Sequence, residues 1–201
     1  MCGRYSLHSN PDVIALQFGL DRVPQFVPRY NIAPDMDVLI VRRDGASTAR
    51  WSQRLKNLRA ETVAERPAFR DAYLRRRCLV PANGFYEWKR TGAKQPWYIR
   101  PANDELFAFA ALWDKRGELE SCSVLTTAAN SAVAPIHDRM PVLIAREDYG
   151  RWLQGEEGLV LPTPRGALRC YPVSFAVNRA ANDSPALIAP LASEIQKGIF
   201  D

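Results

Sequence analysis

Apolar residues along the chain fall mostly into short runs that predict strands. Runs rich in Val, Ile, Leu and aromatic residues recur, and Pro, Gly or Asn separate them. Short bounded runs of this kind are typical of buried strands. The predicted strands are Val38–Val41, Cys78–Val80, Phe85–Lys89, Trp97–Arg100, Leu106–Trp113, Ser123–Thr127, Val142–Ala145 and Arg169–Val173. Residues 24–34 are predicted to be irregular.

Three other segments have the spacing of short helices. Asn10 is placed to cap a helix that ends at Gly19, and residues 67–77 and 146–153 carry apolar residues on one face. Several short strands with a few helices predict an α+β fold, built around a curved mixed sheet or barrel. Neither a repeat nor a linker is visible, so we expect one domain over residues 1–201.

Composition and charge narrow the class of protein. The chain has 201 residues, of which 47% are hydrophobic and 24% are charged, as in ordinary globular domains. A net charge of +5 is compatible with a polyanionic partner. No apolar run has the length of a membrane helix, and no signal-peptide core precedes the fold. We therefore expect a cytoplasmic protein without a membrane partner.

The four cysteines are predicted to be thiols, because a cytosolic protein keeps cysteines reduced. They form no C-x-x-C pair, and the chain has two histidines, so neither a zinc site nor another cofactor is expected. Cys78, Cys122 and Cys170 lie in apolar surroundings, where cysteines are usually buried and inert. Cys2 differs, because it follows the initiator methionine.

Removal of Met1 would leave Cys2 with a free amine and a thiol on adjacent carbons. Both groups are partly nucleophilic near neutral pH. Together they can capture an aldehyde, first as an imine and then as a five-membered thiazolidine. Gly3 allows close approach of the backbone, and Arg4 can hold a phosphate. The alternative is that Cys2 is an ordinary residue at a flexible chain end.

Polar residues elsewhere offer acid–base and binding groups. In an extended segment, Asn57, Arg59 and Glu61 would share one face, either as a binding stripe or as a solvated strand edge. Glu87 has aromatic neighbours that could raise its pKa for general acid catalysis, or it is simply exposed on a half-buried strand. His137 follows a loop before an apolar run, where it is either an acid–base group or a structural histidine.

Five motifs occur in order and together carry a family resemblance. The motifs are Cys2–Tyr5 (CGRY), Arg29–Pro34 (RYNIAP), Asn57–Thr62 (N-x-R-x-E-T), Pro81–Trp88 (PANGFYEW) and Ile136–Pro141 (IHDRMP). With these motifs the chain resembles the SOS-response-associated peptidase (SRAP) family, whose members are abasic-site processing proteins, from residue 2 to about residue 190.

The resemblance implies a single SRAP domain with a barrel-like core and a positively charged groove for single-stranded DNA. It implies that mature Cys2 forms a thiazolidine with the ring-opened sugar of an abasic site, which shields the lesion. The partner would be single-stranded DNA that contains abasic sites, and we expect a monomer. It also implies thiol peptidase and lyase character.

The same resemblance assigns roles to individual residues. Asn57 would hold the terminal cysteine and the sugar, whereas Arg4 and Arg59 would contact phosphates. Glu87 and His137 would be the acid–base groups that open the sugar and protonate the departing hydroxyl.

The sequence departs from the family pattern just before the N-x-R-x-E-T motif. Members usually carry W-G-L-x-P-x-W and a variable loop there, whereas this chain has the short segment Trp51–Lys56, and Leu58 replaces the usual alanine. The aromatic and proline wedge expected beside DNA is therefore missing in its usual form.

Two other functions fit parts of the pattern. Cys2 could serve an N-terminal-nucleophile hydrolase or thiol autopeptidase, with its amine as the base for its own thiol. The arginines and aromatic residues could instead belong to a non-catalytic module that binds single strands by stacking. Covalent attachment to DNA distinguishes abasic-site processing from both of these functions.

Overall fold

The computed structural model describes residues 3–52, 58–90, 92–160 and 166–191. Short strands dominate this part of the chain. The strands are β1 (Arg4–Leu7), β2 (Arg29–Ile32), β3 (Asp37–Arg42), β4 (Gly45–Trp51), β5 (Leu58–Arg59), β6 (Arg77–Ala82), β7 (Gly84–Trp88), β8 (Pro96–Pro101), β9 (Phe107–Arg116), β10 (Leu119–Ala128), β11 (Arg139–Pro141), β12 (Leu143–Ile144) and β13 (Leu168–Pro172). The helices are α1 (Pro11–Phe18), α2 (Pro67–Arg75) and α3 (Tyr149–Leu153), with 3₁₀ turns at Arg146–Asp148, Phe175–Asn178 and Pro185–Ile188.

Five strands close into a barrel. β3 pairs antiparallel with β4 and β6, β6 with β9, and β9 with β10. A parallel pairing between β10 and β4 completes the ring, in which Ser121 lies opposite Arg50. The short strands β5, β11 and β12 attach to its margin by pairing with β10 or β9. A closed barrel leaves no open edge among its five strands.

A second sheet lies against the barrel in the order β13-β8-β7-β1-β2. Tyr5 of β1 joins the two layers, because it is fully buried and packs edge-on against Trp51 and Phe109. The centroid distances to these two rings are 5.3 and 5.6 Å. The main core therefore lies between the sheet and the barrel, and it fixes β1 at the N-terminal end of the chain.

Helix α2 packs on the barrel strands β6 and β9, and α3 packs on β6. The Asn10 side chain accepts a hydrogen bond from the Asp12 N–H, and Gly19 ends α1 with a φ of 62°, as the sequence predicts. Trp152 of α3 is fully buried and donates to the Cys78 carbonyl at 3.0 Å, which ties this helix to β6. No helix in the described ranges is long and apolar enough to cross a membrane.

The predicted α+β class with a barrel-like sheet is confirmed, although several element boundaries differ. The irregular stretch predicted over residues 24–34 is wrong at its end, where Arg29–Ile32 forms β2 against β1. The helix predicted to reach Arg77 ends at Arg75, because Arg77 pairs with Leu112 as the first residue of β6. The helix predicted over residues 146–153 begins with a 3₁₀ turn.

Candidate active site

Glu87 is a buried carboxylic acid in the second sheet. It lies in β7 opposite Trp97 of β8, and only 2% of its surface is exposed. Burial penalises the charged carboxylate and raises the pKa of Glu87 to about 7. The carboxyl therefore exists in both protonation states near neutral pH. Of the two alternatives that the sequence left open, Glu87 is therefore the desolvated carboxyl and not an exposed one.

The register of β1 brings the start of the chain to the same place. Arg4 lies opposite Tyr86 and Tyr5 opposite Phe85. Extended by one residue, this antiparallel register sets Gly3 level with Glu87. Gly3 is the first described residue, and Cys2 lies outside the described residues.

His137 reaches the site from the other layer. It precedes β11, and its side chain is 16% exposed. The Arg139 N–H donates to His137 Nδ1 at 3.0 Å, and an Asp138 carboxylate oxygen lies 3.1 Å from the same nitrogen. Burial is the main reason why the pKa of His137 is lowered from its usual value, although Asp138 opposes that shift. The ring is therefore mostly neutral at physiological pH.

Glu87 and His137 line a common cleft of about 370 Å³. The remaining lining residues supply one aromatic face and three cationic side chains. They are Trp88, Lys89, Arg90 and Lys94. A buried carboxyl, an imidazole and a cationic rim form a site that can transfer protons beside an anionic ligand.

Arg139 is a site residue that the sequence reasoning did not single out, although it belongs to one of the five motifs. Its guanidinium makes a two-bond ion pair with Glu61, at 2.6 and 2.9 Å, and donates to the Thr126 carbonyl at 2.6 Å. The guanidinium lowers the pKa of Glu61, so this carboxylate stays ionised. The ion pair joins the N-x-R-x-E-T motif to the segment that carries His137. The opposite charges of Glu61 and Arg139 in two different motifs were the sequence signal that could have suggested this ion pair.

The structure does not place Arg59 and Glu61 on one extended strand. Arg59 is exposed and lies opposite Thr126 in the parallel pairing of β5 with β10. The extended stripe is wrong at Glu61, because β5 ends at Arg59 and residues 60–65 turn. Asn57, the predicted holder of the cysteine and the sugar, lies outside the described residues.

Arg4 is bound to the protein itself. Its guanidinium donates to Asn31 Oδ1 at 2.9 Å, to the Val177 carbonyl at 2.8 Å and to the Asn178 carbonyl at 3.4 Å. Trp88 Nε1 donates to the Asn178 side chain at 2.7 Å. One short segment after β13 therefore fixes both the strand that leads to Cys2 and the aromatic wall of the cleft.

Two other motif positions are explained by folding. Asn31 is buried, and its amide donates to three carbonyl oxygens of the segment after β13, at 2.9–3.2 Å. Gly84 lies against Tyr98, and a Cβ at this position would be 2.2 Å from the Tyr98 Cζ. A side chain at residue 84, where β7 begins, would therefore force the buried Tyr98 ring to shift.

The described cysteines behave as predicted. Cys78, Cys122 and Cys170 are free thiols, the first two buried and the third half-buried. Burial raises the pKa of Cys122 to about 12 and that of Cys170 to about 11, so both stay protonated and unreactive at neutral pH. Among the described residues, no three His, Cys, Asp or Glu side chains are grouped to hold a metal ion.

A larger cleft of about 750 Å³ lies at the other end of β8, near Pro101, Tyr149 and Leu168. None of the described residues from the five motifs lines it. Size alone therefore does not identify the functional site, and the smaller cleft is the candidate because Glu87 and His137 line it.

Comparisons with known proteins identify the family to which the chain is similar. The sequence pattern of the family described as "SOS response associated peptidase (SRAP)" matches residues 1–180. The abasic site processing protein YoqW of Bacillus subtilis is 35% identical, and the match covers 94% of this chain and 99% of that protein. The abasic site processing protein YedK of Escherichia coli is 29% identical, with 95% of this chain and 100% of that protein covered.

A solved structure has the same fold. A crystal structure of a protein from Bacteroides thetaiotaomicron superposes with a TM-score of 0.83 over 94% of this chain and 100% of that chain. Its sequence identity is 23%, so the likeness concerns the fold alone.

Proposed function

The chain belongs to the SOS response associated peptidase family, and from that membership we propose that it processes abasic sites in single-stranded DNA by bonding to them through Cys2. The observation that carries the proposal is the cleft in which Glu87 and His137 meet. Glu87 lies in β7, which pairs with the strand that leads back to the N-terminus, and His137 lines the same cleft. Relatives named as abasic site processing proteins support the choice of substrate.

Cys2 supplies the chemistry once Met1 has been removed. Its amine adds to the aldehyde carbon of the ring-opened sugar, and the resulting carbinolamine loses one water to give an imine. The thiol sulfur then bonds to the same carbon, and its proton passes to the nitrogen. The product is a thiazolidine, which no longer holds the imine that would promote β-elimination and strand cleavage.

Glu87 is suited to the proton transfers of this sequence. An abasic sugar is mainly a closed hemiacetal, so its anomeric hydroxyl must lose a proton as the C1′–O4′ bond breaks. A carboxyl with a pKa near 7 can take that proton as the carboxylate and can later return one to the hydroxyl that leaves as water. As the C1′–O4′ bond breaks, O4′ must gain a proton; His137 lines the same cleft and can donate it, regaining a proton from solvent.

The cationic side chains are suited to the DNA backbone. Arg59 is exposed, and Lys89, Arg90 and Lys94 line the cleft beside Glu87. Their charge would neutralise phosphates on the strand that carries the lesion. The predicted phosphate contact of Arg4 stays a prediction, and its bonds to the protein support an added role in positioning β1.

Denaturing electrophoresis with a single-stranded oligonucleotide that carries one abasic site tests the proposal. Wild-type protein should give a band that survives heat and detergent, and an intact oligonucleotide should give none. Cys2→Ala should abolish the band, whereas Cys170→Ala, which removes a half-buried thiol, should retain it. A stable band of full yield from Cys2→Ala would refute the mechanism.

Peptidase activity is a finer proposal that the family description suggests, and lyase activity is one that an imine intermediate would allow. The same Cys2 amine and thiol could cleave an amide bond, with the amine as base. Release of a peptide from a model substrate by wild-type protein, and its loss in Cys2→Ala without any DNA present, would support that activity.

A further inference from the structure

We propose that Glu61 is a positioning residue, which acts through Arg139 to hold His137 as the neutral ring with its proton on Nε2. The meaning of that proton for the reaction rests on the proposed function. The arrangement itself follows from contacts within the protein, and these contacts form without DNA.

The first link is the side chain of Arg139. Its two terminal nitrogens bind the two carboxylate oxygens of Glu61, and Nη2 also contacts the carbonyl and hydroxyl oxygens of Thr126, at 2.6 and 3.2 Å. The side chain is 17% exposed, so solvent screens these bonds only partly. A planar guanidinium held on both sides leaves Arg139 one orientation.

The second link is the peptide group between Asp138 and Arg139. Its carbonyl accepts a hydrogen bond from the Ala129 N–H at 3.0 Å, and its N–H donates to His137 Nδ1 at 3.0 Å. These two groups point in opposite directions from one rigid plane. Because Ala129 holds the carbonyl and Glu61 holds the arginine, the N–H is fixed in its direction towards the imidazole.

The direction of this N–H decides the tautomer. A backbone N–H always donates, so the Nδ1 atom that receives it must offer a lone pair. A proton on Nδ1 of the neutral ring would face the Arg139 hydrogen directly. The neutral ring therefore carries its proton on Nε2, the nitrogen on the opposite side of the ring.

Charged groups around the ring determine what happens on protonation. Two acceptors also lie beside Nδ1, the Arg139 carbonyl at 3.2 Å and the Asp138 carboxylate at 3.1 Å, so they compete with the Arg139 N–H for this nitrogen and would receive a proton from Nδ1 of the cationic ring. Arg90 already binds the other Asp138 oxygen at 2.6 Å, and Glu87 and Lys94 lie around the same cleft. Asp138 is thus shared between Arg90 and the imidazolium.

The tautomer of His137 assigns different roles to His137 and Glu87 in the cleft. With a proton on Nε2, His137 donates a hydrogen bond to the sugar oxygen on which negative charge develops. Removal of the hydroxyl proton is then left to Glu87. Glu87 and His137 therefore have different roles. Glu61 contributes because it fixes the peptide group between Asp138 and Arg139, which determines the tautomer of His137.

Nitrogen-15 NMR of the free protein tests the tautomer directly. The chain has two histidines, so His8→Ala assigns the spectrum. Long-range proton–nitrogen correlations above the pKa of His137 should show an unprotonated Nδ1 and a protonated Nε2. The reverse pattern would overturn the proposal. This result needs no crosslinking, so it stands or falls separately from the proposed function.

Glu61→Gln tests the positioning role, with Glu65→Gln as the control, because Glu65 is an exposed carboxylate in the same turn. The Glu61→Gln exchange should mix the two tautomers and slow adduct formation by about 10- to 100-fold, since small displacements of reacting groups are that costly. Binding to intact single strands should change by less than about twofold, because Glu61 is not one of the cations that neutralise phosphates.

A conservative exchange keeps the test decisive if Glu61→Gln folds poorly. Glu61→Asp preserves the carboxylate and should retain the wild-type tautomer with a partly reduced rate. If Glu61→Gln instead keeps both the tautomer and the rate of wild type, the positioning role is refuted.

Discussion

Replacement of Glu87 by glutamine should stabilise the protein at alkaline pH while it disables the reaction. The carboxyl is 2% exposed, and burial raises its pKa to about 7 from an ordinary value of 4.5. A group with a raised pKa binds its proton more tightly in the folded state. Its contribution to the free energy of unfolding is therefore complete below about pH 4.5 and is lost as the pH rises towards 7.

The size of the effect follows from linkage. Between about pH 5 and pH 8 the wild-type protein should lose about 2–3 kcal/mol of unfolding free energy through this one group. Glu87→Gln cannot ionise and should not show that loss. The measurement is urea unfolding at both pH values for wild type, Glu87→Gln and the exposed control Glu118→Gln. Comparing the change in unfolding free energy between the two pH values removes any effect of the new amide that does not depend on pH.

The kinetic half of the prediction concerns the same group. Adduct formation should fall by about 10²–10⁴-fold in Glu87→Gln, and the inflection near neutral pH in the wild-type rate profile should vanish. Rates are measured below saturating DNA, so that binding and chemistry are not confused. If stability differences are independent of pH and the rate is unchanged, the burial argument and the acid–base role both fail.

Two further predictions concern DNA contact and the fold. Arg59→Ala should weaken the binding of abasic DNA and flatten the salt dependence of that binding, whereas the control Arg43→Ala, an exposed residue in a hairpin turn, should do neither. Salt added before mixing should slow crosslinking, and salt added after crosslinking should release no DNA. Gly84→Ala should lower the free energy of unfolding by about 1–3 kcal/mol, measured by urea, because its Cβ would overlap the Tyr98 ring.

Sequence patterns predicted the strands that are continuously apolar, and the structure shows why others were missed. β4 consists largely of small and polar residues, so it lacks the run that identifies Val38–Val41 beside it. β1 and β2 have four residues each, too few for a period to be visible. Their pairing depends on Tyr5 packing against residues far along the chain, which local pattern cannot express.

The sequence suggested the acid–base groups of the candidate site but not the residues that hold them in place. The residues alone left the roles of Glu87 and His137 open, and the family resemblance assigned them as acid–base groups; the structure places both in one cleft. Asn31 and Arg139 could not be given roles, because those roles are hydrogen bonds to residues up to about 150 positions away. Such contacts exist only once the barrel and the second sheet are assembled.

The mass of the adduct tests the central claim most directly. Wild-type protein that lacks Met1 should gain the mass of the abasic oligonucleotide less one water, and the N-terminal peptide should carry the whole gain. Borohydride should leave this mass unchanged, because a thiazolidine has no carbon–nitrogen double bond to reduce. An adduct on any other peptide, or one that takes up two hydrogens as an imine does, would contradict thiazolidine formation at Cys2.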